Sequence, residues 1–104
     1  MRTETTLAVR IAIVNAMARR AADAGLSART EAVTDLAFTL LAMGGDAAPV
    51  VEALTDLAGE LETAMVRRGF NRREIPAMIR RDCADAGLPV ADATVNVKIR
   101  GMSL

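Results

Sequence analysis

A chain of 104 residues with 52% apolar side chains and no net formal charge suits one domain that buries roughly 65% of the surface its unfolded form exposes. It contains no His, Trp or Tyr and a single Cys, which removes imidazole acid–base chemistry, thiolate metal sites and an intrachain disulfide. Aromatic residues are 2% of the total, Phe38 and Phe70, so the core must be built from Ala, Leu, Val, Ile and Met, the composition of closely packed helices.

The first periodic segment runs from about Thr3 to Ala24, with Thr3 as a candidate N-cap and Gly25-Leu26 as a candidate Schellman stop. Leu7, Val9, Ile11, Ala12, Ile13, Val14 and Met17 leave only Arg10 and Asn15 polar along its middle. A helix apolar nearly all round is buried on more than one side. In a small protein it is either the central helix or partly covered by a second subunit, and the subunit reading is preferred. Glu4 and Arg10 argue against a secretory leader here. No uncharged apolar run approaches the roughly 18–20 residues of a membrane span.

A second helix is expected from Ser27 or Thr30 to Met43, with Val33, Leu36, Ala37, Leu40 and Leu41 as its core stripe, Phe38 off that stripe, and Gly44-Gly45 as its end. Asp46 can cap a third helix, with Pro49 in the permissive first turn and Val50, Leu54, Leu57, Ala58, Leu61, Ala64 and Met65 as one apolar face. Its opposite face places Glu52, Asp56 and Glu60 at intervals of four. Such a row of like charges costs a few tenths of a kcal/mol per pair, a cost that a basic partner would relieve and a solvated face simply bears. Gly69-Phe70-Asn71 reads as a turn, and Asn71 with Glu74 resembles a capping box. The fourth helix then starts there or at Pro76, presents Met78, Ile79, Cys83 and Ala86 to the core, and ends at Gly87 and Pro89.

Residues 94–100 alternate polar and apolar, with Val95, Val97 and Ile99 on one side, as in a half-buried strand. A lone strand needs a partner, so this tail is expected to be either a short helix or a strand exchanged in an oligomer. The expected fold is therefore mainly α: a small four-helix, bundle-like domain over residues 1–104. Residues 1–66 would form its oligomerising core, and 67–104 its Arg-rich helix and tail. Leu7, Ile11, Val14, Val95, Val97 and Ile99 are the candidate interface residues, with a homodimer favoured.

The functional clue is charge segregation. Residues 1–66 hold nine acidic and five basic side chains, residues 67–104 four acidic and eight basic ones. Arg67, Arg68, Arg72, Arg73, Arg80 and Arg81, with Lys98 and Arg100, are candidate binding residues for an acidic protein or for nucleic acid, since guanidinium grips carboxylate and phosphate bidentately. Residues 76–102 also resemble part of the helix-turn-helix of bacterial repressors, with 90–95 as the turn and start of a recognition helix and 76–88 as the supporting helix. Pro89 stands where such turns usually have glycine, Asp85 where a small residue packs, and Val97 breaks the helical spacing.

No phosphate-binding glycine loop, nucleophile elbow or clustered oxygen-ligand site is legible, so no catalysis, metal, cofactor or small-molecule substrate is expected. Cys83 lies beside Arg80 and Arg81, which favour thiolate, but reads first as a small core residue. Nothing in the cysteine content points to an oxidising compartment, so a reducing cytoplasm is expected. The leading reading is a non-catalytic, homo-oligomeric adaptor or regulator that binds an acidic protein partner through the Arg-rich surface. The alternative is a DNA-binding accessory protein or repressor.

Overall fold

A computed structural model describes residues 3–87 of the chain. Among these there are four α-helices, α1 (Thr3–Ala21), α2 (Ala24–Met43), α3 (Ala48–Arg67) and α4 (Ile75–Asp85), with a short 3-10 turn at Arg72–Glu74 and no strand. The tail residues Val95, Val97, Lys98, Ile99 and Arg100 lie outside the described residues, as do the strand-or-helix question and the recognition-helix half of the helix-turn-helix resemblance.

α1 packs against α2, α3 and α4, which makes it the central helix. Leu7, Ile11 and Val14 are therefore inside the core of a single chain, at 2%, 3% and 0% exposure, and the expectation that they form a subunit interface is corrected. An all-round apolar helix is satisfied by three neighbours as well as by a second subunit, and here the chain supplies the neighbours itself. Arg10 is the exception within this helix. Its Nε and one terminal nitrogen are buried without a hydrogen-bond partner, and burial lowers its pKa.

The end of α1 comes earlier than Gly25. The chain turns at Ala22, whose φ of +48° is left-handed, and Asp23 caps α2 by accepting a hydrogen bond from the Leu26 amide at 3.0 Å. An Asp two residues before glycine can begin a helix as readily as the glycine can end one, and here the cap prevails. Gly25 thus falls in the first turn of α2.

α2 departs further from its expected stripe. It buries Thr30, Thr34 and Ala37, while Leu36 is 54% exposed and Val33, Leu40 and Leu41 are only half-buried. Small side chains let α2 approach α1 and α3 closely. The threonine hydroxyls cost little to bury because they donate to carbonyls of their own helix, Thr30 to Leu26 at 2.7 Å and Thr34 to Thr30 at 2.8 Å. The helix ends at Gly44, whose φ is +80° and whose amide donates to the Leu40 carbonyl.

α3 follows its sequence face. Val50, Leu54, Leu57, Ala58, Leu61, Ala64 and Met65 are all buried. Asp46 accepts from the Ala48 amide at 3.0 Å, but the N-cap position falls on Ala47, which has no side-chain oxygen to offer, so Asp46 stands one residue before the cap expected of it. α4 buries Ile75, Ile79 and Cys83, residues four apart that form one stripe, while Ala86 stays exposed as the residue that closes the helix. No helix among the described residues is long and apolar enough to cross a membrane.

Candidate functional site, an arginine-rich corner

The connections between α1, α2 and α3 are short, so successive helices run antiparallel and the C-termini of α1 and α3 lie at one end of the bundle. Arg19 and Arg20 close α1 and Arg67 closes α3, each favourably placed at the negative end of its helix dipole. α3 stops in a Schellman motif: the Gly69 amide donates to the Val66 carbonyl at 2.9 Å and the Phe70 amide to the Met65 carbonyl at 3.1 Å. Gly69 adopts a φ of +103°, which a side chain would resist. Phe70 packs against the core and pins the turn.

Asn71 then accepts from the Arg73 amide at 2.9 Å, opening the 3-10 turn that carries Arg72 and Arg73. α4 starts directly behind it, with Pro76 in the first turn where its missing N–H costs nothing. Two tight turns thus fold Arg67, Arg68, Arg72 and Arg73 around a single corner.

Not all the arginines are available there. Arg20 grips Asp82 through two hydrogen bonds, Nε to Oδ2 at 2.8 Å and a terminal nitrogen to Oδ1 at 2.7 Å, which ties α1 to α4. Arg72 lies 3.4 Å from Glu62 of α3. Arg80 is half-buried and already engaged within the molecule. Arg67, Arg68, Arg73 and Arg81 are exposed, and the first three take no carboxylate partner among the described residues. The corner therefore divides into Arg20, tied to Asp82, and outward-facing cations, Arg67, Arg68 and Arg73, with Arg72 exposed beside Glu62.

The sequence reading missed Arg19 and Arg20, because they lie more than forty residues before the cluster. The signal that would have found them is the expected direction of the helices, which brings the last turn of α1 beside that of α3. Asp82 is held below the usual carboxylate range by the hydrogen bonds from Arg20, with burial opposing and the charges of Arg20, Arg19 and Arg81 adding to the effect. Cys83 takes the opposite direction. Burial pushes its thiol up, Asp82 adds to the rise and Arg19 opposes it, so the neighbouring arginines do not create a reactive thiolate.

An open groove of about 780 Å³ lies between the start of α2 and the end of α3, with Leu26, Arg29, Asp56 and Glu60 on its walls. Arg29 reaches across to Glu60 at 2.6 Å. Among the described residues, no three His, Cys, Asp or Glu side chains gather into a group able to hold a metal ion. Compared with known proteins, the chain matches no family model, no curated protein and no solved structure.

Proposed function

We propose that the chain is a non-catalytic adaptor or regulator that binds an acidic segment of a protein partner through the corner formed by α3, the 3-10 turn and α4. The observation that carries this reading is the set of exposed guanidinium groups of Arg67, Arg68 and Arg73 on a corner held rigid by two capped turns. Side chains fixed on a rigid turn lose less freedom on binding than side chains on a loop.

Charge distribution favours an acidic peptide over duplex DNA. Residues 30–66 carry seven acidic side chains and no basic one, so a long polyanion laid across the corner meets repulsion from the layer behind it. A short acidic segment engages the arginines without reaching that layer. Each exposed ion pair contributes about 0.2–1 kcal/mol, so replacing all three arginines weakens binding roughly tenfold.

The test is fluorescence anisotropy with a labelled poly-glutamate peptide and, separately, a random-sequence DNA duplex, at about 50 and about 200 mM salt. Binding of the peptide by the wild type, weakened roughly tenfold in the triple variant Arg67→Ala, Arg68→Ala, Arg73→Ala, supports the reading. DNA binding that collapses at the higher salt, with no peptide binding, transfers the site to the DNA alternative. Binding of neither overturns both.

A further inference from the structure

α2 buries Thr30, Thr34 and Ala37 and packs Leu26, Val33 and Leu40 half-buried against the core, while Leu36 and Met43 face solvent at 54% and 81% exposure. Large apolar side chains at that exposure on one helix mark a surface that something covers. Their spacing says what shape it has. Leu26, Val33, Leu36, Leu40 and Met43 occupy alternating three- and four-residue steps, with Arg29 filling the remaining position. That is the seam by which one helix receives another. Beside it stand Ala32 and Thr39, exposed and small enough for a second backbone to come close.

The far wall of the seam is acidic. Arg29, a seam position, reaches Glu60 of α3, and α2 and α3 run antiparallel, so Val33 is level with Asp56 and Leu36 with Glu52. Glu52, Asp56 and Glu60 are all exposed, one turn apart, and unfavourable to one another. We propose that the α2 seam and the α3 carboxylate row together form a docking groove for a basic amphipathic helix of a partner protein. Its apolar stripe would cover Leu36, Leu40 and Met43 while its Lys or Arg flank neutralises Glu52 and Asp56. This is the helix-in-groove mode of recognition, with the carboxylate row setting the orientation. The surface borders the arginine corner at Arg67, which lines the same groove as Asp56 and Glu60, and is opposite to it in charge, so a chain bearing both joins two partners of unlike chemistry.

The experiment uses the full chain, labelled with ¹⁵N, and two synthetic helical peptides that share leucines at the seam positions and differ only in carrying Lys or Glu elsewhere. The Leu/Lys peptide is expected to bind and to shift the amides of α2 and of residues 52–60, and the Leu/Glu peptide not to bind. Leu36→Ser with Met43→Ser should weaken binding at least about tenfold, and both substitutions fall on exposed side chains that the fold does not need. Phe38→Ser, on the other flank of α2, should leave binding unchanged. So should Arg68→Ala with Arg73→Ala, neither of which lines this groove, which distinguishes it from the arginine corner. Glu52→Gln with Asp56→Asn should weaken binding and flatten its salt dependence. Failure of the Leu/Lys peptide to bind overturns the proposal, as does equal binding of the Leu/Glu peptide. Self-association of the chain alone that Leu36→Ser and Met43→Ser abolish would overturn it too, by making the occupant a second copy.

Discussion

The Arg20–Asp82 pair decides how firmly α4, and with it the arginine corner, is fixed to the bundle. Its two hydrogen bonds of 2.8 and 2.7 Å join residues 62 positions apart, with the Asp82 side chain 17% exposed and that of Arg20 41% exposed. A fully buried hydrogen bond to a charged group contributes about 1.5–3 kcal/mol, and an exposed ion pair about 0.2–1. With the solvent on Arg20 discounted, the coupling is expected at about 1–2 kcal/mol, or roughly 5–15 °C in Tm for a domain of this size.

The assay is a double-mutant cycle in urea with Asp82→Ala and Arg20→Met, the methionine retaining the aliphatic packing of the arginine stem. The pH dependence has a definite sign. Arg20 stays protonated throughout, and the folded-state pKa of Asp82 lies below the unfolded value of about 3.9. The stabilisation is therefore complete well above pH of about 3.9, begins to fall as pH approaches that value, and is gone once pH is below the lower, folded-state pKa. The gap between wild type and Asp82→Ala should be constant from pH 7 down to about 5 and then close. A coupling under about 0.3 kcal/mol at neutral pH, with no closure in acid, would refute the argument. α4 would then be held by the apolar packing of Ile75, Ile79 and Cys83, with Met78 beside them.

Other consequences concern single positions. Ala22 sits at a φ of +48°, so Ala22→Gly should raise stability by about 0.5–1 kcal/mol in chemical denaturation, despite the entropy glycine adds to the unfolded chain. Gly25→Ala should also stabilise, by up to about 1 kcal/mol, since it lies in the first turn of α2 and a Cβ there meets only Asp23 Oδ1 at 3.4 Å. Arg10→Met should stabilise by about 1 kcal/mol, because it removes two buried nitrogens without hydrogen bonds while keeping the packed stem. Cys83 is 2% exposed with a raised pKa, so its alkylation at pH 8 should be slow in the native protein and quicken sharply across the urea transition. Fast native labelling would contradict the core placement.

Much of the candidate corner was legible in the sequence, because its parts are local. Gly69-Phe70-Asn71 has the residue types of a helix stop followed by a cap, and the six arginines around it stand within fifteen residues. What the sequence left open is which arginines are already spent. Asp82 is paired with Arg20, and Glu62 sits beside Arg72, because helix directions bring distant turns together.

The same division runs through the fold. Helix existence, the burial of the α3 face from Val50 to Met65 and the stop at Gly44 follow from periodicity and capping, which act within a few residues and are written into the chain order. The rotation of α2 about its own axis is not. Its apolar residues lie nearly all round, so periodicity offers no single inward face, and the choice of Thr30, Thr34 and Ala37 over Leu36 depends on the neighbouring helices. α1 poses the mirror case: a sequence apolar on every side demands cover without saying whose. Only the tertiary structure supplies the answer, three helices of the same chain, because the hydrophobic effect rewards removal of surface from water whatever does the covering.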